Sequence, residues 1–230
     1  MSTVRTTAVI VAAGRGERFG GEDPKQFLLL AGSPVLLWSA RAFVDHPLVD
    51  EVVIVLPPEA TARTPSWIPS SVIVVAGGET RADSVINGVA ATDESAEVIL
   101  VHDGVRPFVT AELISRVVAS SSAEAIVPVI PVTDTVKTVD ERGLVVRTPP
   151  RASLRRAQTP QGFPAELLRW AYASGPSRSV TDDALMVERA GCPVRTIPGD
   201  ARNLKITESG DLEYARWLVD TGLIPAPTFG

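Results

Sequence analysis

The chain has 230 residues, of which 45% are hydrophobic and 21% are charged, and this composition is typical of a single globular domain. Its net charge of −5 argues against a broad surface for nucleic acid, so a phosphate ligand would have to be met by a local cluster of cations. With one cysteine and two histidines, the chain cannot form an internal disulfide, a cysteine-based zinc site or a histidine-rich metal centre.

The sequence also lacks the marks of export and of membrane insertion. The N-terminus has no long apolar segment like that of a signal peptide. No apolar run approaches the roughly 20 residues that a membrane span requires. We therefore expect a soluble, cytoplasmic protein that has neither a nucleic acid nor a membrane as a partner and that folds as one domain over residues 1–230.

The most informative segment follows the first apolar run, at residues 7–11, which predicts a buried strand. Three glycines in residues 14–20 let the backbone turn sharply, and backbone N–H groups in such a turn form a concave site for anions. Arg18 and Lys25 add cations to the same connection. The combination favours a polyphosphate site over an ordinary glycine-rich turn with surface charges.

Two familiar phosphate-binding loops do not match this segment. The dinucleotide fingerprint requires a glycine three residues after Gly16, where this chain has Phe19. The P-loop requires a Gly-Lys pair followed by serine or threonine, and the chain contains no Gly-Lys pair. A phosphate loop in this chain therefore belongs to another class.

Apolar runs alternate with amphipathic segments along the chain. They predict strands at 8–11, 52–56, 72–75, 98–101 and 125–130, with helices between them, one of which follows an N-cap at Thr110. Continuous Val/Ile strands that alternate with helices predict an α/β fold, in which a mostly parallel sheet has helices on both faces. Such sheets bind ligands at the carboxyl ends of their strands, where residues 12–20, 77–78 and 102–103 would meet.

Residues 132–156 interrupt this alternation. An alternating run at 133–139, a turn at 140–143 and a return at 144–148 predict a β-hairpin. Because an isolated two-stranded hairpin is marginal in water, it must pack on something. It packs either on its own domain or on a second subunit as an arm, and periodicity alone does not decide between these alternatives.

The alternation of helices and strands resumes after the hairpin. The pattern predicts a helix at 164–173, a helix that ends at Ala190, a strand at 193–197 and a last helix at 211–219. The second of these helices begins with Thr181, Asp182 and Asp183, which are typical of an N-cap followed by acids in the first turn.

Several polar clusters stand where they could bind a ligand. Residues 77–84 are either a turn with a helix cap or a second wall of a nucleotide site. Asp103 can orient a sugar hydroxyl or a hydrated Mg²⁺ ion, whereas His102 beside it is interpreted as structural rather than as a general base. Arg151 and its neighbours either clamp a phosphate or form a solvated patch, and Lys205 is a weak signal by itself.

As a set, these segments resemble the 2-C-methyl-D-erythritol 4-phosphate cytidylyltransferase family of the non-mevalonate isoprenoid pathway. Seven motifs stand in the expected order and span nearly all of the chain: AAGRGER with PKQ at 12–18 and 24–26, GETRADSV at 78–85, VHDGVRPF at 101–108, DTVK at 134–137, QTPQGF at 158–163, TDDA at 181–184 and NLKIT at 203–207. Each motif is weak by itself, but seven in order are a specific signal.

The resemblance implies a Rossmann-like nucleotidyltransferase fold with a protruding hairpin arm over residues 132–156. It implies transfer of a cytidylyl group from CTP to methylerythritol phosphate, with Mg²⁺ carried mainly by the CTP phosphates. It also implies a homodimer, because the arm in this family reaches into the site of the partner subunit.

The resemblance further implies a role for individual residues. It assigns to catalysis Arg18 and Lys25, which match the pair that stabilises the transition state, together with Arg151 and Lys205, the latter positioning the substrate phosphate. It assigns to CTP binding Ala12, Ala13, Gly14, Gly16, Gly78, Glu79, Ser84, Asp103 and Gly104. It assigns to substrate binding Thr135, Arg106, Asp103 and Thr181, of which Thr135 lies on the arm with Arg151.

Two positions depart from the family pattern. Val11 stands where the family often has proline, and Gly104-Val105 stands where it often has two alanines. The second departure lies at the floor of the sugar site and leaves the acceptor open. The alternatives are a cytidylyltransferase for another polyol phosphate such as ribitol 5-phosphate, a molybdopterin nucleotidyltransferase, or a non-catalytic nucleotide-binding module.

Overall fold

The computed structural model describes residues 4–14, 24–174 and 180–226. In chain order its elements are β1 (Thr6–Val11), β2 (Leu29–Leu30), β3 (Ser33–Pro34), α1 (Val35–Val44), β4 (Glu51–Leu56), α2 (Pro58–Thr61), β5 (Ile73–Ala76), α3 (Arg81–Ala90), β6 (Val98–Asp103), α4 (Ala111–Ser120), β7 (Ala125–Pro131), β8 (Thr138–Val139), β9 (Val145–Arg147), β10 (Arg155–Ala157), β11 (Gln161–Pro164), α5 (Ala165–Ser174), α6 (Asp183–Arg189), β12 (Val194–Pro198) and α7 (Ser209–Asp220). The strands and helices predicted from the apolar pattern form close to their expected bounds.

The central sheet has the strand order β10-β7-β11-β6-β1-β4-β5, and β12 adds to β7. β1 pairs in parallel with β4 and with β6, and β4 pairs in parallel with β5. In this register Val11 lies opposite Asp103, so the carboxyl ends of β1 and β6 meet at one edge. The chain runs from β1 outward to β5 and then returns to the other side of β1, and α/β sheets bind ligands at such a reversal. The predicted mostly parallel sheet is confirmed.

Side chains of β1 alternate between two hydrophobic layers. Ala8 and Ile10 belong to the layer that α1 and α4 complete, whereas Val9 belongs to the layer that α3 and α5 complete. All of these β1 side chains are fully buried, which explains why the strand is apolar at successive positions. Helices therefore cover both faces, as predicted. Within the described residues, no helix is long and apolar enough to cross a membrane.

The sheet also contains antiparallel strands that the apolar pattern did not indicate. β11 lies antiparallel between β6 and β7, and β10 pairs antiparallel with β7. β11 is short and includes Gly162, where an added Cβ would collide with Ser121, the C-cap of α4. β10 consists of two arginines and an alanine that are all exposed. Neither strand carries the apolar run or the strict alternation by which a strand is recognised in a sequence.

The hairpin predicted at residues 133–148 forms, but its paired part is shorter. β8 and β9 pair antiparallel in a two-stranded sheet separate from the central one. Its apolar side chains are open to solvent: Val139, Leu144, Val145 and Val146 are 56% to 69% exposed. Clustered exposed apolar side chains are typical of an interaction surface. The division of the chain into one domain with an arm at 132–156 stays a prediction.

A third hydrophobic cluster anchors the C-terminal part of the chain beside the sheet edge. Ile206 is fully buried in this cluster with Trp38 of α1 and Leu212 of α7. The backbone N–H of Ile206 donates to the carbonyl of Val105 at 2.9 Å. This packing brings Lys205 to the carboxyl edge of the sheet.

Candidate active site

A cleft of about 960 Å³ opens at the carboxyl edge of β1, β4, β5 and β6. The described residues that line it are Val11, Ala12, Ala13, Gly14, Lys25, Gln26, Pro57, Pro58, Glu59, Gly77, Gly78, Glu79, Thr80, Arg81, Ser84, Asp103, Val105 and Lys205. The volume lies at the upper end of the range typical of small-molecule sites. The structure thus brings together motifs that are far apart in the sequence and that follow different strands.

The glycine-rich loop is tied at its start by Gln26. The Gln26 side chain is buried, and its Nε2 donates to the carbonyl of Ala12 at 2.7 Å and to that of Gly14 at 3.1 Å. Gln26 follows Lys25 directly in a single 3-10 turn, so the same clamp holds Lys25 at the cleft. Gly16 and Arg18, which were assigned to this loop from the sequence, lie outside the described residues.

The turn before α3 forms another wall of the cleft. The Thr80 hydroxyl accepts from the backbone N–H of Asp83 at 3.1 Å, and the Asp83 carboxylate accepts from the backbone N–H of Thr80 at 3.1 Å. This reciprocal pair is a capping box. The Ser84 hydroxyl accepts from the backbone N–H of Gly78 at 3.1 Å. Residues 77–84 are therefore both a helix cap and a wall of the cleft.

Two glycines allow the loop to pack closely against its neighbours. An added Cβ at Gly77 would collide with the methyl group of Ala13. At Gly104, a Cβ would lie 3.0 Å from that of Ala12 and 2.9 Å from a methyl group of Leu36. Gly104 lies outside the described lining of the cleft, beneath Ala12. An alanine there would press on the loop.

Asp103, the last residue of β6, is the centre of an ion-pair cluster. Its Oδ2 lies 2.8 Å from Nζ of Lys205 and 3.5 Å from Nε of Arg106, and its Oδ1 lies 3.4 Å from Nη2 of Arg81. Burial by itself would raise the pKa of Asp103. The charges of Arg81, Lys205 and Arg106 outweigh burial and hold this pKa well below its usual range. Asp103 is therefore an anion throughout the physiological pH range and gathers cations at the cleft.

His102 lies beside Asp103 but is fully buried behind the cleft. Its Nδ1 is 3.0 Å from the Thr159 hydroxyl, and its Nε2 is 3.3 Å from the carbonyl of Arg106. These partners suit the neutral tautomer with the proton on Nε2. Burial lowers the pKa of His102 to about 3, although the charge of Asp103 opposes this shift. The geometry supports the structural interpretation of this histidine.

Backbone and side-chain bonds hold the cluster from behind. The Thr159 hydroxyl accepts from the backbone N–H of Asp103 at 3.0 Å. Asn203 donates through Nδ2 to the backbone carbonyl of Thr159 at 2.7 Å. The backbone carbonyl of Asn203 accepts from Nη1 of Arg106 at 2.9 Å. Arg106 is buried in this position and is not part of the described lining of the cleft. The motifs at 158–163 and 203–207 thus meet around Asp103.

Other residues assigned from the sequence lie away from the described cleft lining. Thr135 and Arg151 are exposed on the arm, where Arg151 donates to the carbonyl of Thr133 at 2.7 Å. Thr181 is exposed just before α6, whose N-cap is Asp182. Asp182 accepts from the backbone N–H of Leu185 at 3.1 Å.

The structure adds two side chains to which the sequence had given no role. Gln26 stands in one motif with Lys25, and Arg81 stands in the motif that opens α3. An amide directly after the loop lysine is a signal for the clamp at Gln26. No local pattern indicates the partner of Arg81, because that partner lies far away along the chain.

The fold and the cleft have counterparts in known proteins. The family model of 2-C-methyl-D-erythritol 4-phosphate cytidylyltransferase matches residues 6–221. A relative of that name from Rhodococcus jostii is 46% identical over 217 residues, which cover 94% of this chain and 95% of the relative. Another from Frankia casuarinae is 42% identical over 221 residues, which cover 95% of this chain and 83% of the relative.

Solved structures agree with these matches. The crystal structure of the 2-C-methyl-D-erythritol 4-phosphate cytidylyltransferase from Thermus thermophilus has a TM-score of 0.79 and 36% identity, covering 93% of this chain and 98% of that one. The enzyme of the same name from Francisella tularensis has a TM-score of 0.80 and 30% identity, covering 94% of this chain and 100% of that one. The chain belongs to the 2-C-methyl-D-erythritol 4-phosphate cytidylyltransferase family.

Proposed function

We propose that this protein transfers the cytidylyl group of CTP to 2-C-methyl-D-erythritol 4-phosphate, giving 4-diphosphocytidyl-2-C-methyl-D-erythritol and pyrophosphate. The proposal rests on one observation above all: a backbone loop, Lys25 and the Asp103–Lys205 pair meet in a single cleft. Membership of the cytidylyltransferase family supplies the identity of the donor and of the acceptor. The family match also argues against the non-catalytic alternative, since the matching family consists of cytidylyltransferases.

The reaction requires stabilisation of negative charge and does not require proton transfer. A phosphate oxygen of the acceptor attacks the α-phosphorus of CTP, and the bond to the bridging oxygen breaks as pyrophosphate leaves with the electron pair. The acceptor phosphate is largely dianionic at neutral pH, since its second pKa is about 6, so it needs no general base. This agrees with the burial of His102 away from the cleft. The protein must bring two anions together and stabilise charge at the α-phosphorus.

The described residues are suited to these tasks. Lys25, held by the Gln26 clamp, is proposed to stabilise the charge that develops at the α-phosphorus, together with Arg18 outside the described residues. Lys205 is proposed to position the acceptor phosphate, since its side chain is 40% exposed at the cleft.

The cleft also offers surfaces for the nucleotide. The loop at Ala12, Ala13, Gly14 and Gly16 is proposed to wrap the phosphates, and Gly78, Glu79 and Ser84 to contact the cytosine. Ala12 would contribute by position, because its backbone N–H donates to the carbonyl of Val55 at 2.8 Å. Asp103 is proposed to lie next to the ribose. Gly104 is assigned to the same subsite by family resemblance, and it packs against Ala12 rather than in the described lining. Support comes from position, because the loop and the turn before α3 both line the cleft.

A magnesium ion that arrives with CTP fits the donor set. Among the described residues, no three Asp, Glu, His or Cys side chains come together as a metal cage. Mg²⁺ typically keeps several waters and binds through one or two carboxylates together with substrate phosphates. Asp103, the carboxylate at the end of β6, is proposed to face this ion. When bound, the ion neutralises charge on the CTP phosphates and on the leaving pyrophosphate.

The arm is proposed to complete the site of a second subunit. Its exposed apolar side chains support a homodimer, and Thr135 and Arg151 would then serve the partner's cleft. The cytoplasmic location expected from the sequence stays a prediction.

The reaction is tested by magnesium-dependent release of pyrophosphate from CTP, with methylerythritol 4-phosphate and ribitol 5-phosphate compared as acceptors. We expect fast release with the first acceptor and little with the second. Release with ribitol 5-phosphate alone would keep the mechanism but change the acceptor, in line with the departure at Gly104. Binding of CTP without turnover on either acceptor would favour a binding module.

The role of Lys25 is tested by Lys25→Ala. Loss of a key charge stabiliser should lower turnover by on the order of 10²-fold or more. The matched control is Arg195→Ala, which removes an exposed cation of β12 that is paired with Glu124 at 2.8 Å. We expect this control to keep the activity of the unaltered protein. Near-normal turnover of Lys25→Ala would contradict the assignment.

A further inference from the structure

A buried carboxylate outside the cleft is connected to the ion-pair cluster at Asp103. Asp183, in the first turn of α6, is fully buried. It accepts from the hydroxyl of Tyr172 at 2.6 Å and from Nη1 and Nη2 of Arg81 at 3.1 and 2.8 Å. Burying a charge is costly unless it is paired and hydrogen-bonded, and here both conditions are met.

Capping of α6 does not require this residue. The N-cap is the neighbouring Asp182, which accepts from the backbone N–H of Leu185 and from Nε2 of Gln161. The Asp183 side chain points instead to Arg81, the first residue of α3. Capping of α6 therefore does not explain why the Asp183 carboxylate is buried.

Arg81 bridges the buried carboxylate and the cleft. Its guanidinium holds Asp183 in a bidentate pair and places Nη2 3.4 Å from Oδ1 of Asp103. Burial would lower the pKa of Arg81, but the charges of Asp183 and Asp103 outweigh burial and raise it. The planar fork of an arginine fixes direction as well as distance. Arg81 can therefore hold the Asp103 carboxylate at a set angle if it is itself held by Asp183.

The angle of the Asp103 carboxylate matters because its second oxygen holds Lys205. Oδ2 of Asp103 is 2.8 Å from Nζ of Lys205, the lysine proposed to position the acceptor phosphate. Without Asp183, the guanidinium of Arg81 would turn fully to Asp103 and compete with Lys205 for the same carboxylate.

We propose that Asp183 is a positioning residue for cytidylyl transfer, which acts through Arg81 and Asp103 on the acceptor side of the cleft. The inference rests on the proposed function. It assigns to the TDDA motif a task that is separate from capping, since one of its two acids caps α6 and the other orients the cleft.

The test is Asp183→Asn, measured by steady-state kinetics with each substrate varied in turn. We expect kcat/KM for the acceptor phosphate to fall by on the order of tenfold to a hundredfold, as for the loss of a charged hydrogen bond. The loss of CTP affinity, measured by titration calorimetry without the acceptor, should be smaller than the loss of kcat/KM for the acceptor. Asp103 also lies next to the proposed ribose position, whereas Lys205, which it holds, is assigned to the acceptor phosphate. The matched control is Asp182→Asn, which makes the same change of charge one residue away and should leave kcat/KM within about threefold.

A double-variant cycle separates positioning from general damage to the fold. In an Arg81→Gln background, Asp183→Asn should have little further effect on kcat/KM for the acceptor, because residues that act through one another are not additive. Additive losses would overturn the proposal, as would equal activity of Asp183→Asn and Asp182→Asn.

A milder variant covers the case in which Asp183→Asn does not fold. Tyr172→Phe removes one hydrogen bond from the buried carboxylate and should lower kcat/KM for the acceptor severalfold in the parent but not in the Arg81→Gln background. An equal effect in both backgrounds would count against the proposal. An unaltered protein that releases no pyrophosphate would instead overturn the proposed function, and this inference with it.

Discussion

At the scale of single residues, Gln26 shows how a neutral side chain can shape a site for anions. Its amide donates to the carbonyls of Ala12 and Gly14, and it is 1% exposed. Carbonyl oxygens that turn toward a phosphate would repel it. By binding two of these carbonyl oxygens, Gln26 keeps them from pointing at a phosphate in the cleft.

We predict that Gln26→Glu raises the KM for CTP by on the order of tenfold or more. The carboxylate has the same shape, but it cannot donate and would face two carbonyl oxygens in a buried place. Initial rates against CTP concentration measure the effect. Asn87→Asp is the control, because it makes the same amide-to-carboxylate change at an exposed bond to the carbonyl of Ala76. An unchanged KM in Gln26→Glu would show that the clamp is dispensable.

His102 leads to a prediction on pH and stability. Its pKa is lowered by burial to about 3, from 6.5 in the unfolded chain, so between these values the unfolded chain binds a proton that the folded chain does not. Stability is therefore lost as the pH falls below 6.5, by about 2 kcal/mol at pH 5. Urea unfolding at pH 7.5 and pH 5 should show this loss in the parent, and a smaller one in His102→Asn. An equal loss in both proteins would contradict the prediction.

A second observation on His102 does not depend on a variant that folds. The chain has two histidines, so their ring signals are easily resolved by NMR. The ring of His102 should stay neutral at pH 5. Titration of this ring near pH 6.5 would contradict the prediction, because it would show that the ring is accessible to solvent.

At the scale of elements, the N-termini of α3 and α4 offer a natural comparison. Thr80 caps α3 within the wall of the cleft, whereas Thr110 caps α4 by accepting from the backbone N–H of Leu113 at 3.2 Å. Thr110 is not part of the described cleft lining. The two caps have similar chemistry, and one of them also shapes the cleft.

Thr80→Ala and Thr110→Ala should each lower the free energy of unfolding by about 1 kcal/mol, as expected for the loss of a helix cap. We predict that Thr80→Ala alone raises the KM for CTP severalfold, because the turn that carries Gly78 and Ser84 loses its anchor. Denaturant unfolding and steady-state kinetics on the same preparations measure both effects. A similar rise in KM for both variants would refute the prediction.

At the scale of the whole molecule, the proposed crossing of the arm predicts complementation between two inactive variants. A heterodimer of Lys25→Ala and Arg151→Ala subunits would have one site with both defects and one with neither. Such heterodimers, purified through two different tags, should recover about half of the parental activity. Each homodimeric variant serves as its own control. Heterodimers as inactive as the homodimers would show that each arm serves its own subunit.

The sequence predicted the long strands that are buried on both faces, and it missed one strand that is exposed and one that is short. β1, β4 and β6 are apolar because both of their faces are covered, so their runs were recognised. β10 is exposed at the sheet edge and β11 is short, so neither has a pattern. The arm has fewer paired residues than its alternating sequence predicts. An alternating pattern shows which side chains share a face, but it does not show how many residues pair with the other strand.

For the candidate site, the sequence predicted positions but not connections. The sequence predicts Asp103 at the end of a strand and Ser84 in the turn and helix start after another strand, and the structure brings both to one cleft. The bond from Gln26 to the loop and the bridge from Arg81 to Asp183 depend on how distant segments pack. The local spacing of residues does not predict such packing. The bridge, for example, joins residues 102 positions apart.

That distance along the chain has a consequence for biosynthesis. When the ribosome has completed the strands that carry the loop and Asp103, the nascent chain still lacks Asp183 and Lys205. The wall at α3 can form early, but its arginine finds a buried partner only after α6 has emerged. Enzymatic competence is thus acquired near the end of translation, and a fragment that stops in the hairpin would have the nucleotide loop without the charge cluster that completes the cleft.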